Sequence, residues 1–167
     1  MRYVTLFLIL IFLLGLRPLN APEPKCEIYD YGLYEYTRNP SIAPNDIPNS
    51  RYNSFDISTP FLEKTKTIPA IVHTRMAFKF RIKNLPKRSF AMKLRVEGRF
   101  PMFKDVYGRN FDSYKVEGDY YVNNGMIEEI AGYSFDEPEE LSIGTWTFSI
   151  WHKSKMLCSM NFEVVPP

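Results

Sequence analysis

Cys26 and Cys158 are the only thiols in a chain of 167 residues, and His73 and His152 are its only imidazoles. A nucleophilic thiolate needs a histidine within hydrogen-bond reach. His152 and Cys158 fall on the same face of a C-terminal hairpin but two residue pairs apart, and two residues along a strand span about 7 Å. His73, His152 and Cys158 match no zinc-ligand spacing. Three readings of Cys158 therefore stand: half of a disulfide with Cys26, a buried free thiol packed as a small hydrophobe, or a catalytic or metal-binding thiolate. The paired acids Glu128-Glu129 and Glu139-Glu140 are adjacent in sequence. Strand neighbours point to opposite faces, so each pair reads as solvated surface and not as an acid/base couple. The chain contains no G-x-S-x-G, Walker A, H-E-x-x-H, G-x-G-x-x-G or EF-hand pattern. No catalytic residue, metal site or cofactor is expected.

The elements that would hold these residues are strands. Thirteen Phe and eleven Tyr favour β structure, and thirteen Pro oppose long helices. Met76, Phe78, Phe80 and Ile82 alternate with Arg75, Lys79, Arg81 and Lys83. Met92, Leu94 and Val96 alternate with Lys93, Arg95 and Glu97. Trp146, Phe148 and Ile150, then Met156, Cys158, Met160, Phe162 and Val164, continue the pattern. Asn124-Gly125 signals a tight hairpin turn, and residues 137–141 allow one short turn after Pro138. In "GTWTFSIWHKSKMLCSMNFEV" a three-residue loop, Lys153-Ser154-Lys155, pairs Ile150 with Cys158, Phe148 with Met160 and Trp146 with Phe162. All six then face one way, as a half-buried sheet requires. Several short antiparallel strands with one buried face predict a β-sandwich. Residues 37–60, with four prolines and little alternation, are expected to be a long loop, either extended or disordered.

The N-terminus has the shape of a secretory leader. Arg2 precedes an apolar run from Val4 to Leu16, shorter than the roughly 20 residues of a membrane span. Residues 1–21 are expected to be a signal peptide cut after Ala21, with an uncleaved anchor as the alternative and sole membrane contact. Residues 22–167 then form one domain. Removing Arg2 and Arg17 with the leader leaves 19 basic against 19 acidic residues, so the charge gives no case for nucleic acid. Charge is nonetheless segregated along the chain. Residues 75–100 carry nine cations and one acid, and residues 117–140 carry eight acids and no base. Either these blocks pair across a sheet, or Arg75, Lys79, Arg81, Lys83, Lys93 and Arg95 form a face for an anionic ligand. Trp151 points opposite to Trp146 and is a candidate aromatic contact.

"YGLY" at residues 31–34, "TIPA" at 67–70 followed by "FKF" at 78–80, and "GTWTF" at 144–148 together resemble the bacterial family catalogued as domain of unknown function 3859. The resemblance spans roughly residues 27–165. It implies an exported, all-β, immunoglobulin-like antiparallel sandwich, and it carries no catalytic residues. In an immunoglobulin-like order the first and last strands start at the same pole. That would bring Cys26 and Cys158 together, and an oxidising compartment would close the bond. The expected function is that of an exported, periplasmic or secreted, non-catalytic binding or protein-interaction module. Its candidate partners are an envelope protein, an acidic glycan or a glycolipid. The alternative is a small secreted enzyme whose carboxylates converge only in three dimensions.

Overall fold

The computed structural model describes residues 23–35, 57–104 and 107–167. The expected leader and most of the 37–60 loop lie outside the described residues. The predicted alternation becomes nine strands: β1 Lys25–Tyr34, β2 Phe61–Glu63, β3 Thr67–Pro69, β4 Arg75–Lys83, β5 Ala91–Lys104, β6 Asn110–Tyr121, β7 Ile127–Ser134, β8 Gly144–His152 and β9 Lys155–Val165. The short turn after Pro138 is a 3-10 helix at Pro138–Glu140. The strands form a four-stranded sheet, β2-β1-β4-β7, and a five-stranded sheet, β3-β9-β8-β5-β6. Placing β1, β4 and β7 opposite β5, β8 and β9 gives the immunoglobulin-like partition of first, second and fifth strands against third, sixth and seventh.

The core is the sum of the inward rows. Met76, Phe78, Phe80 and Ile82 of β4 meet Trp146, Phe148 and Ile150 of β8, all fully buried. Phe78 and Phe148 touch across the sandwich at 6.2 Å between centroids, the position where antibody domains carry their inter-sheet disulfide. Trp146 is stacked on Phe100 at 4.3 Å and meets Phe135 edge-on at 5.3 Å. Its indole N–H donates to the Ser142 carbonyl at 2.9 Å, so burying the ring leaves no orphaned donor.

The register of the last hairpin is Trp146 with Phe162, Phe148 with Met160 and Ile150 with Cys158, as the inward rows require. The turn differs from the expected one. His152 pairs with Lys155 and Trp151 with Met156, so the turn is the two residues Lys153-Ser154, with Lys153 at a φ of 54°. The odd residue is Leu157, taken up as a bulge in β9. The bulge shifts the register by one without lengthening the loop. Asn124 and Gly125 both take positive φ, 51° and 79°, and Asn123 and Met126 exchange backbone hydrogen bonds of 2.8 and 3.0 Å. This is the tight turn that Asn-Gly predicts. Its strands, however, part immediately, β6 into one sheet and β7 into the other.

At one lateral side of the sandwich the chain changes sheet through Lys64-Thr65-Lys66. β2 pairs antiparallel with the end of β1, and β3 pairs parallel with the end of β9. Gly32, at a φ of +147°, lets β2 approach, because a Cβ there would overlap the Glu63 carbonyl oxygen. Near the start of the same two strands Cys26 and Cys158 are bonded, with Cα atoms 5.7 Å apart and 132 positions between them. Closing so long a loop restricts the unfolded chain, and the entropic model values this at about 4–5 kcal/mol. Replacing both cysteines by serine is expected to lower stability by about that amount in urea titrations while leaving the far-ultraviolet spectrum intact. An unchanged urea midpoint would refute the staple.

Candidate functional site

The six cations expected to form one anionic-ligand face do not share a face. Arg75, Lys79, Arg81 and Lys83 project from β4 on the outside of the four-stranded sheet. Lys93 and Arg95 project from β5 on the outside of the five-stranded sheet, across the sandwich. Neighbouring groups also engage them. Arg75 Nε donates to Ser134 Oγ at 3.1 Å. The Arg81 guanidinium lies 2.7 Å from the Glu128 carboxylate and 4.3 Å from the Tyr29 ring centroid. Lys83 is ion-paired with Glu27. Lys79 is not solvated as expected. It is buried, donating to the Thr59 carbonyl at 2.9 Å beneath the Phe61 ring. On β5, Lys93 stands opposite Asp119 and Arg95 opposite Glu117. The basic and acidic blocks therefore lie side by side. Lys83 and Lys155 hold the exposed Glu27 and Glu23 carboxyls below the usual range, chiefly by hydrogen bonding.

Three acids depart from the solvated surface expected of them. Glu97 is 4% exposed, with Arg95 Nε at 2.9 Å and Lys115 Nζ at 3.5 Å from the same oxygen. Glu140 is 1% exposed. Its Oε2 accepts the backbone N–H groups of Asp136 at 2.8 Å and Glu137 at 3.3 Å, closing the 3-10 turn. The spacing of Glu140 two residues after Pro138 carries this signal in the sequence. Glu129 pairs with Phe80 and so points between the sheets at their open side. Burial pushes its carboxyl up, opposed by the Ile130 backbone N–H. Its titrating neighbour there is Tyr120, a phenol raised by burial and then by the Glu129 charge. A second carboxyl, which an acid/base couple would need, does not accompany it among the described residues.

Trp151 is half-buried, with the Arg95 guanidinium 5.1 Å from its ring centroid and its indole N–H enclosed without a hydrogen-bond partner. Thr59, at the end of the long loop, touches the opposite sheet at Lys79. His152 Nδ1 lies 3.0 Å from the Lys93 carbonyl oxygen. His73 is held by its backbone, donating to the Phe135 carbonyl at 2.7 Å. Cys158, bonded to Cys26, supplies no thiolate to either histidine. Among the described residues no group of three His, Cys, Asp or Glu is disposed to hold a metal ion.

What the sequence reading missed is an exposed apolar pole, at the end of the sandwich away from the disulfide. Met102 is 63% and Tyr107 79% exposed, with Phe111, Ile143 and Ile71 also open to solvent. Ser142 Oγ donates to the Pro101 carbonyl at 2.9 Å, which holds the Ile143 loop against the β5–β6 hairpin.

The model of one family, described as a domain of unknown function and numbered DUF3859, matches residues 23–164. The chain belongs to that family. The fold of this DUF3859 chain is similar to that of an immunoglobulin-like protein from Pseudomonas aeruginosa, with a TM-score of 0.63 and 17% identity, covering 87% of this chain and 99% of that one. A second solved structure, an alkylpurine DNA glycosylase from Pseudomonas fluorescens bound to DNA, aligns with 59% of this chain and 28% of its own length. Its identity is 10% and its TM-score 0.41, too low to bear on this chain. No curated protein matches. Among the described residues no helix is long and apolar enough to cross a membrane.

Within the DUF3859 sandwich, two substitutions test the acids. The raised pKa of Glu129 means that ionising it costs more in the folded than in the unfolded chain. Stability should therefore fall as pH rises through the unfolded value and up to the raised one. Glu129→Gln is expected to be more stable than the parent at pH 7, with the gap closing in acid. A constant gap would assign the effect to packing. Arg81→Glu is expected to destabilise by up to about 1 kcal/mol, with most of the loss recovered when Glu128→Arg is added. Simple additivity of the two would deny the pair any coupling.

Proposed function

We propose that this protein is an extracytoplasmic, non-catalytic protein-interaction module. The observation that carries this reading is the apolar pole. Met102, Tyr107, Phe111 and Ile143 are large hydrophobic side chains exposed together at one end of a folded domain. Arg109 lies over the Tyr107 and Phe111 rings at 5.2 and 5.6 Å. Aromatic residues, Met and Arg are the types enriched in protein interfaces, and clustered apolar exposure of this kind marks interaction sites. The disulfide supports a location outside the reducing cytoplasm. An envelope protein suits this pole better than an acidic glycan or glycolipid, because the cations an anionic ligand would need are divided between two faces, and Arg81, Lys83 and Arg95 are already paired with carboxylates.

A photo-crosslinking residue placed at Tyr107 or Ile143 in the exporting cell is expected to yield a discrete protein adduct, and one placed at Thr147 on the sheet face is not. The combined Met102→Ser, Tyr107→Ser and Ile143→Ser variant should retain its melting temperature and lose binding to the protein so identified. Equal adducts from Thr147, or undiminished binding by the variant, would sink the reading.

A further inference from the structure

We propose that Cys26 is the entry point for thiol–disulfide exchange in this protein: an incoming thiolate forms its mixed disulfide on Cys26 and expels Cys158. The two cysteines look equivalent in sequence, and both are half-buried. Their surroundings differ. An open cleft of about 340 Å³ is walled by Cys26 together with Pro24, Asn84, Lys155, Met156 and Leu157. Cys26 is the sulfur-bearing residue of the pair that lines it. Cys26 stands opposite Ile82 and Cys158 opposite Ile150, each in the inward row of its strand, but Cys158 does not wall the cleft.

The placement of the bond leaves the cleft uncovered. β2 meets β1 at Leu33 and Tyr34, and β3 meets β9 at residues 163–165. Around residues 26 and 158, therefore, neither strand has an outer neighbour among the described residues. The cleft also has the chemistry of a thiol reagent's landing site. Pro24, Met156 and Leu157 offer apolar surface to the loop of a Cys-x-x-Cys oxidoreductase. Lys25, beside Cys26, and Lys155, paired with Glu23 across the cleft mouth, are cations that favour an approaching thiolate.

In the reductive direction the donor thiolate attacks Cys26 Sγ and forms a new S–S bond there. The Cys26–Cys158 bond breaks, its electron pair leaves on Cys158 Sγ, and that sulfur takes a proton from water. The donor's second thiol, as thiolate, then attacks its own sulfur in the mixed disulfide and releases the Cys26 thiolate. One dithiol has become a disulfide, and two electrons have passed to the protein. Oxidation retraces the route: the Cys26 thiolate attacks the donor disulfide, and Cys158 resolves the adduct. Leaving-group strength alone would favour the opposite order, because a thiolate next to Lys25 departs more easily than one flanked by Leu157 and Ser159. Access overrides it here.

The test uses the oxidised full chain. It is mixed with reduced glutathione, quenched with acid at short times, and mapped by mass spectrometry for the first glutathionylated cysteine. Adducts on Cys26 should exceed those on Cys158 tenfold or more. Equal adducts, or an excess on Cys158, would overturn the proposal. The second arm uses a Cys-x-x-Cys oxidoreductase whose resolving cysteine is replaced by serine. A trapped complex through Cys26 assigns the cleft to the enzyme, and glutathione adducts on Cys26 without a trapped complex assign it to small thiols. A complex through Cys158 again overturns the proposal. Because the parent protein is the reactant, the outcome does not depend on whether Cys158→Ser or Cys26→Ser folds.

Discussion

The indole of Trp146 touches both sheets at once. It stacks on Phe100 of β5 in its own sheet, lies 5.0 Å from Tyr133 of β7 in the other, and meets Phe135 just beyond β7. Its N–H fixes the Ser142 carbonyl, and the Ser142 hydroxyl fixes the Pro101 carbonyl. One side chain thereby sets the separation of the sheets, the course of the β7–β8 connection and the anchorage of the β5–β6 hairpin. The exposed pole is built on the residues that follow from this: Met102 directly after Pro101, and Ile143 directly after Ser142. An aromatic ring buries far more apolar area than an aliphatic side chain. That is how a single residue holds so many elements.

The opposite constraint is the lateral gap between β1 and β9. These strands belong to different sheets, and hydrogen bonds cannot close the space between them. Two devices close it at different heights. Toward the apolar pole the chain itself crosses, with β2 on β1 and β3 on β9, and Lys64 and Lys66 each stand 5.3 Å from the Tyr31 ring centroid. Toward the other pole the Cys26–Cys158 bond and the Glu23–Lys155 ion pair do the same work. The two links advance by three residues on each strand, so β1 and β9 run in the same direction there. The bond lies away from the β4–β8 contact at the centre, where Phe78 meets Phe148, so no disulfide bridges the middle of the sandwich.

How much of this the sequence discloses depends on the range of the physics involved. Period-two alternation is local, so the inward rows of β4, β5, β8 and β9 can be read directly. The Asn124-Gly125 turn is local too, but which sheet each flanking strand joins is decided by long-range partners, and that was not legible. The three-residue loop and the two-residue turn with a bulge at Leu157 place Cys158, Met160 and Phe162 alike and differ at Met156, which was expected to face inward and instead stands opposite Trp151, exposed; the alternation beyond Cys158 could not tell the two apart. Burial of Lys79, Glu97 and Glu129 was hidden because it is set by Thr59, Lys115 and Tyr120, which approach only when the sheets form. The apolar pole was hidden for the converse reason. Met102, Phe111 and Ile143 look like core residues until the end of the sandwich is found to leave them outside.

The charge blocks, strongly segregated in sequence, are best understood as a register device. In the β5–β6 hairpin Lys93 faces Asp119, Arg95 faces Glu117, and Glu97 faces Lys115. Glu97 is the one acid in the basic block, and Lys115 lies just before the acidic one. A slip of one residue would turn every inward side chain to solvent. A slip of two keeps the faces but not the charges. In one direction Arg95 would oppose Lys115, and in the other Glu97 would oppose Glu117. Like charges directly opposite each other destabilise a sheet by amounts comparable to what opposite pairs contribute, roughly 0.2–1 kcal/mol each. Only the native register matches all three pairs, and burial of Glu97 between Arg95 and Lys115 strengthens the choice, because an unpaired carboxylate at that depth costs far more than an exposed mismatch. The same residues that suggested a binding face in one dimension therefore serve alignment in three. The surface left for recognition is the end of the hairpin that their pairing holds in place.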